Sequence, residues 1–192
     1  MKPSNIETIE FHVKGMICSS CLKLLNNALI DLGAQVLDIQ LGKIAVAFDR
    51  NVVSEHQIRE IIEQNEFDII TEPKSILAEK TKRWIINYVW NEENEIKIPD
   101  YLSDKLNRPY YILSRNFSKV FKYTIKNYEQ KLKVERIKEK IEIGNLSFSE
   151  IAYDLGYHHL SALSRLFKNH TGMSLVEYKS LSKSLRIPID KI

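Results

Sequence analysis

Two groups of residues have types and spacings that could carry chemistry. Cys18 and Cys21 are the two cysteines of the chain, and they lie three positions apart. Two thiolates at that spacing can hold one soft metal ion or act as a redox pair. Arg115 and Arg165 each follow a Leu-Ser dipeptide. Because a guanidinium fits the two acceptors on the edge of guanine, these arginines predict contact with DNA.

The two arginines belong to a sequence repeat. Residues 113–117, LSRNF, recur fifty positions later as residues 163–167, LSRLF. Upstream, residues 102–107 align with 151–156 at an offset one smaller, so the second copy has one extra residue in its turn. Asn107 and Gly156 fall where a left-handed residue ends a short helix. Each copy therefore predicts helix, tight turn and helix.

The second helix of each copy, called here the recognition helix, has an apolar stripe and an opposite polar face. The stripe predicts core packing, and the polar face is left for a partner. Arginine suits guanine edges, whereas Ser and Lys suit phosphates. A solvated face without a partner is the alternative for all of them, and simple packing is the alternative for Tyr111. The candidate DNA contacts are Tyr111, Ser114, Arg115, Ser118, Ser161, Ser164, Arg165 and Lys168.

Charge divides the chain in the same way. Residues 1–78 contain seven Lys and Arg against eleven Asp and Glu, whereas residues 79–192 contain twenty-one against fourteen. The C-terminal part is a candidate polyanion binder and the N-terminal part is not. Pro73 and the polar stretch after it favour a domain boundary there.

Helix signals continue through the C-terminal part. Pro99 suits the opening of one helix, and Ser147 with Glu150 predicts a capping box at the start of another. Between them a long helix is predicted over Ile125–Ile143, with its Lys and Glu side chains outward and Gly144 at its end. His158 and His159 are interpreted as residues of a helix start rather than as metal ligands.

The segment SFSEIAYDLGYHHLSALSRLFKNHTGMSLVEYK resembles the second helix-turn-helix of AraC-type bacterial transcription regulators. The resemblance covers about residues 77–181. It implies two units joined by the long helix, both recognition helices in the major groove of double-stranded DNA about one helical turn apart, and RNA polymerase as a further candidate partner. Lys122 stands where Gly172 follows the second recognition helix, so the first corner is expected to be built differently.

The N-terminal part has strand and helix patterns in alternation. Ile9, Phe11 and Val13 alternate as in a strand, and the motif GMICSSC, residues 15–21, falls in the loop between this strand and the next helix. The remaining patterns complete the order strand-helix-strand-strand-helix-strand, with a turn at Gly42-Lys43 and a capping box from Ser54 to Gln57. This order predicts a ferredoxin-like βαββαβ domain.

GMICSSC at that position resembles the heavy-metal-associated domains of copper chaperones and metal-pumping ATPases. The resemblance implies Cys18 and Cys21 as metal ligands and Met16 as a core residue. Two soft sulfurs without a neighbouring carboxylate favour Cu(I) over Zn(II), although another soft metal ion stays open. A redox pair is disfavoured because no helix-opening Pro accompanies the motif, and a domain kept only for packing or self-association is the other alternative.

The fold class predicted is α+β, with a ferredoxin-like βαββαβ domain at 1–73, a linker at 74–80, an all-α AraC-type domain with two helix-turn-helix units joined by a long helix at 81–182, and a tail at 183–192. The function predicted is sequence-specific regulation of transcription, with Cu(I) at the cysteines as a candidate signal. The alternatives are a regulator whose N-terminal domain only packs or dimerises, and a cytosolic copper-trafficking protein. The sequence predicts no catalytic site, no membrane association and a cytoplasmic location.

Overall fold

The computed structural model describes residues 5–16, 19–91 and 96–192. The chain divides into two compact units, Met1–Lys80 and Thr81–Ile192. Buried apolar side chains form a core within each unit. The mixture of a small N-terminal sheet and a helical C-terminal part agrees with the α+β class predicted from the sequence.

The first unit is built on a four-stranded antiparallel sheet in the order β2-β3-β1-β4. Two helices separate its strands in the chain and contribute to the same core. The elements are β1 (Ile6–Lys14), α1 (Ser19–Leu32), β2 (Gln35–Gln40), β3 (Lys43–Asp49), α2 (Glu55–Gln64) and β4 (Asp68–Ile70).

Local sequence explains these elements. In β1, Phe11 and Val13 are buried while the residues between and beside them are more exposed, as period-two alternation requires. Ser54 and Gln57 form the capping box that begins α2. The turn between β2 and β3 was predicted one residue too late, because Lys43 already pairs with Gln40 and the loop is Leu41-Gly42.

The helix α3 (Pro73–Trp90) begins at the proline that favoured a boundary. Residues 74–80, predicted as a linker, are therefore helical. Proline is compatible with this position because it can occupy the first helical turn, where its missing N–H removes no intrahelical bond. The boundary between the two units falls inside this helix, after Lys80.

The second unit is helical, and its helices bear out the pattern read from the sequence. The long helix has the bounds predicted for it, begins at the Thr124 cap and ends at the left-handed Gly144. The helices that follow α3 are α4 (Ile98–Leu106), α5 (Tyr110–Phe121), α6 (Ile125–Ile143), α7 (Phe148–Asp154), α8 (Leu160–Thr171) and α9 (Leu175–Lys179), with a short 3₁₀ turn at Ile189–Lys191.

The sequence predicted that the Lys and Glu side chains of α6 point outward, but two of them are buried. Glu135 and Lys138 are 4% and 6% exposed, and their side chains form an ion pair of 2.7 Å. Glu135 also accepts the backbone N–H of Ile187, and Lys138 donates to the carbonyl of Leu185. The pair is buried because the end of the chain packs on α6, a contact that helical periodicity cannot indicate.

Candidate nucleic-acid interface

The second unit contains two helix-turn-helix arrangements with matching turns. In the first, α4 leads into α5, and the turn has Asn107 N–H bonded to Asp104 and Arg108 N–H bonded to Ser103. In the second, α7 leads into α8, and the turn has two corresponding hydrogen bonds. The residue in the left-handed conformation is Asn107 in one turn and Gly156 in the other. In the second turn, the Gly156 N–H donates to the carbonyl of Tyr153 and the Tyr157 N–H donates to the carbonyl of Ala152.

The extra residue of the second copy lies in its turn, as the sequence predicted. Pro109 precedes α5 directly after Arg108, whereas both His158 and His159 separate Tyr157 from α8. His159 is the N-cap of α8, with an extended backbone and no side-chain capping bond. These histidines thus belong to a helix start, and the described residues contain no group of three His, Cys, Asp or Glu side chains that could hold a metal.

The recognition helices α5 and α8 expose matching positions. Residues 110–117 and 160–167 have the same order of buried, half-buried and exposed side chains. Leu113 and Phe117 are buried in one helix, and Leu163 and Phe167 in the other. Of the candidate contacts, Tyr111, Arg115, Ser161, Arg165 and Lys168 are exposed, whereas Ser114, Ser118 and Ser164 are half-buried.

Arg115 and Arg165 lie at equivalent positions of these helices, and both are exposed. Neither guanidinium makes an ion pair or hydrogen bond with another residue in the described part of the chain. A surface arginine that no internal carboxylate engages keeps its five N–H donors for a partner. Both recognition helices therefore present an exposed arginine side chain at the same position.

The neighbouring candidates differ more between the copies. Tyr111 is 71% exposed, so its ring does not pack into the core. The Ser114 hydroxyl hydrogen-bonds the Tyr110 phenol, and burial together with the Glu129 charge outweighs that bond and raises the pKa of Tyr110. Lys168 lies close enough to Glu177 for its charge to contribute to the lowered pKa of that carboxyl. The two helices thus share the arginine and differ around it.

The corners after the recognition helices were predicted to differ, and this prediction is wrong. Lys122 has φ 65° and ψ 13°, and Gly172 has φ 76° and ψ −7°. Each N–H bonds the carbonyl four residues earlier, that of Ser118 or Lys168, at 3.0 and 2.8 Å. The same left-handed corner is built in both copies, and in the first a side chain occupies a conformation that glycine adopts more readily.

An aromatic pair fixes each recognition helix to the helix that follows the corner. Phe117 packs on Tyr128 of α6 at 5.9 Å between ring centroids, and Phe167 packs on Tyr178 of α9 at 5.4 Å. The Tyr178 hydroxyl donates to Glu142 at 2.6 Å. Burial and this bond raise the pKa of Tyr178 to about 12. The repeat therefore extends into the starts of α6 and α9.

One exposed cation of this surface was missed. Arg108 lies in the turn directly before α5, and its counterpart Tyr157 is half-buried with its pKa raised to about 12 by burial and by the charge of Glu129. The repeat alignment contained the signal, because it places Arg108 in the turn that leads into a recognition helix. A basic residue there can reach a phosphate beside the groove.

The cysteine motif is described only in part. Cys18 lies outside the described residues, and Cys21 is half-buried in the first turn of α1, packed against the core. Gly15 has φ 85°, and Met16 is 1% exposed within the core, as expected for it. Phe67 is buried nearby, 3.8 Å from where a side chain at Gly15 would begin.

No helix in the described residues is long and apolar enough to cross a membrane.

Known proteins match parts of the chain. Residues 102–180 match a family model described as a helix-turn-helix domain. The C-terminal domain of AraT, a response regulator from Geobacillus stearothermophilus, shares the fold at 20% identity and a TM-score of 0.50, over 61% of this chain and 92% of that one. A DNA-binding transcriptional dual regulator from Escherichia coli K-12 is 18% identical with a TM-score of 0.47, over 52% of this chain and 88% of that one.

Two short proteins from Haemophilus influenzae, each described as an uncharacterised protein, are 42% identical to this chain over 65 residues. The match covers 33% of this chain and 96% of each of those proteins. Over residues 102–180 the chain thus matches a helix-turn-helix domain, and over 65 residues it belongs to one family with the two Haemophilus influenzae proteins.

Proposed function

We propose that the protein is a sequence-specific transcription regulator that binds double-stranded DNA through both helix-turn-helix units. The observation that carries this proposal is the equivalence of Arg115 and Arg165, two exposed arginines on matching recognition helices that have no partner among the described residues. The net positive charge of residues 79–192 supports it, since DNA binding draws on contacts with phosphates.

The eight candidate residues take different roles in this proposal. Arg115 and Arg165 read guanine edges in two successive major-groove segments. Tyr111 and Ser161, at the first exposed positions of α5 and α8, contact bases or sugars at the groove entrance. Ser114, Ser118, Ser164 and Lys168 contact the backbone, where Lys168 contributes a full charge.

The first unit is proposed to be a ferredoxin-like metal domain. Its element order and its sheet order β2-β3-β1-β4 support that fold. The donor set fits a soft ion, because Cys21 stands in the first turn of α1, where the helix N-terminus favours thiolate. Cys18 and Cys21 would hold Cu(I), which accepts two thiolates. A bound ion would serve as a signal to the DNA-binding unit, and no reaction is assigned to it.

Coupling between the metal and DNA is limited by thermodynamics. A metal ion changes operator affinity only to the extent that it binds the free and the DNA-bound protein with different affinities. The proposal therefore requires a measurable shift in DNA affinity when Cu(I) is added. Without such a shift the first unit serves packing or dimerisation.

Gel-shift titrations with and without Cu(I) test both parts. The proteins compared are the wild type, the double variant Cys18→Ser/Cys21→Ser and the matched control Ser20→Ala, which changes an exposed residue of the same helix turn. All three are expected to bind DNA, and Cu(I) is expected to change the affinity of the wild type and the control by about 5-fold or more. The double variant is expected to be insensitive.

The outcomes separate the alternatives. Absence of sequence-specific binding by every form would contradict the regulator and favour a trafficking protein. Equal binding by all forms with and without Cu(I) would contradict the metal signal and leave the regulator intact. Competition with a chromophoric Cu(I) chelator checks the site itself, with one ion per chain expected for the wild type and none for the double variant.

A further inference from the structure

The end of the second unit forms a strap across α6. We define the C-terminal strap as residues 184–187, which the sequence had placed in a plain tail. Four hydrogen bonds attach it to four side chains on one face of α6. They are Ser184 Oγ to Glu142 at 2.8 Å, Lys138 Nζ to the Leu185 carbonyl at 2.9 Å, Arg186 to Glu139 at 3.1 Å, and Ile187 N–H to Glu135 at 2.8 Å.

A cavity of about 270 Å³ lies between this strap, α6 and the corner that joins α8 to α9. Its apolar wall includes Val134 of α6, Met173 of the corner, and Leu185 and Ile187 of the strap. A space of this size can hold several water molecules or a ligand of about ten non-hydrogen atoms. The size falls just below the usual range for small-molecule sites.

The polar part of the lining is rich in basic side chains. Lys131, His170 and Lys191 contribute to the wall, and buried Lys138 has two of its three N–H donors engaged, by Glu135 and the Leu185 carbonyl, in the described part of the chain. Among the described residues of this lining, Glu135 is the one acidic side chain, and its two oxygens already accept from Lys138 and from Ile187. Ile192 also lies in the wall. The cavity therefore complements an anion with an apolar body.

We propose that this cavity binds a small amphipathic carboxylate, with the carboxylate toward Lys138 and His170 and the apolar part against Val134 and Met173. The wall also includes Thr171, the last residue of α8. A bound molecule would thus contact the end of a recognition helix. The binding itself does not depend on DNA, so it is tested on the free protein.

Methionine-methyl NMR of the full chain titrated with octanoate gives a direct test. The chain has three methionines, Met1, Met16 and Met173, and Met173 lines the cavity whereas Met16 is buried in the core of the first unit. Met173→Leu assigns the signal. Octanoate has ten non-hydrogen atoms, and a saturable shift of the Met173 methyl is expected with a Kd on the order of 1 mM. The Met16 signal is expected to stay in place.

Charge dependence is tested with a neutral ligand and with variants. Octanamide, which lacks the charge, is expected to bind about tenfold more weakly, because a charge-assisted hydrogen bond is stronger than a neutral one. His170→Ala/Lys191→Ala is expected to raise the Kd severalfold, while Lys183→Ala, an exposed tail cation outside the lining, leaves it unchanged. No saturable Met173 shift by 10 mM octanoate, equal shifts of Met16, or equal binding of octanamide would each overturn the proposal.

Discussion

Lys122 and Gly172 occupy the same left-handed backbone position, one at the end of α5 and the other at the end of α8. Both copies of the repeat therefore have the same corner geometry, although the first copy has a lysine where glycine would adopt this conformation most easily. A side chain in this conformation costs roughly 1–2 kcal/mol relative to its right-handed form. The first helix-turn-helix carries this strain at its junction with α6, the helix that joins the two helix-turn-helix arrangements of the second unit.

Lys122→Gly should stabilise the protein by about 0.5–1 kcal/mol, because relief of the left-handed strain exceeds the extra flexibility of glycine in the unfolded chain. The converse change, Gly172→Lys, should destabilise it by roughly 1–2 kcal/mol through the backbone alone. A side chain at Gly172 would begin with no atom within 4 Å, so no steric clash adds to this cost. Urea unfolding of both variants measures the effects, and a destabilised Lys122→Gly would contradict the shared corner.

The capping boxes of α7 and α9 should make stability depend on acid. The Ser147 hydroxyl and N–H hold the pKa of Glu150 below its usual 4.5, and the Ser174 N–H and hydroxyl do the same for Glu177. Since these folded-state pKa values are lowered, their stabilisation is present above about pH 4.5 and is lost as the pH falls through them. Glu150→Gln/Glu177→Gln should therefore flatten the fall in stability between about pH 5 and pH 3.

Glutamine keeps the box and removes the titration, as Gln57 already does at the start of α2. The double variant should accordingly be somewhat less stable than the wild type at pH 7, where the ionised carboxylates contribute, and approach it near pH 3. Thermal unfolding across the pH range measures both effects. Identical pH profiles for the two proteins would show that these carboxylates do not contribute to the acid response.

The parts of the fold that could be predicted are those that depend on neighbouring residues in the sequence. The bounds of α6, the capping boxes at Ser54 and Ser147, and the left-handed Asn107 all depend on residues within one or two helical turns, and each was predicted from the sequence. Lys122 was misjudged because the expectation came from residue type, while the surrounding repeat determines the backbone there. Residues 74–80 mix polar side chains with Ile76, Leu77 and Ala78, and Pro73 suits either a linker or the first turn of a helix.

The buried pair Glu135–Lys138 should be sensitive to the loss of one partner. Glu135→Leu leaves an ammonium buried without its carboxylate and should destabilise the protein by about 3–5 kcal/mol. Glu135→Leu/Lys138→Met replaces both charges with apolar groups and should recover most of that loss. Urea unfolding compares the two variants, and equal losses in both would contradict the role of the unpaired charge.

The exposed pair Arg59–Glu55 provides the matched control. Arg59 Nη2 and Glu55 Oε1 are 2.6 Å apart, but the two side chains are 37% and 40% exposed. Glu55→Gln should therefore change stability by less than about 1 kcal/mol. The Glu135–Lys138 pair is buried, unlike the Arg59–Glu55 pair, because the C-terminal strap packs on it. The partners of the strap on α6 are 42 to 52 residues away in sequence. Contacts this distant leave no periodic pattern, so the sequence predicted a solvated face instead.

The candidate interface was predictable in its position and less so in its details. The repeat located both recognition helices, and their exposed faces are those that the apolar stripes required. The half-burial of Ser114 and its bond to Tyr110 depend on how the side chains pack, which periodicity does not specify. Each of the eight proposed contacts therefore needs its own test.

Lys168→Ala should weaken DNA binding similarly on all sequences. Removing one phosphate contact lowers the slope of log Kd against log salt concentration by about 0.9. Lys23→Ala, which removes an exposed cation of α1, should leave that slope unchanged. Fluorescence anisotropy at several salt concentrations measures both, and an unaltered slope for Lys168→Ala would exclude its phosphate contact.

The equivalence of Arg115 and Arg165 is tested most directly by selecting binding sites from random DNA with the wild type, Arg115→Ala and Arg165→Ala. Each variant should lose the preference for guanine at one position, by about 1–3 kcal/mol, and keep it elsewhere. The two positions should lie about one helical turn, roughly 10–10.5 base pairs, apart. Unchanged preferences in both variants, or affected positions without that separation, would contradict the paired reading of DNA by the two arginines.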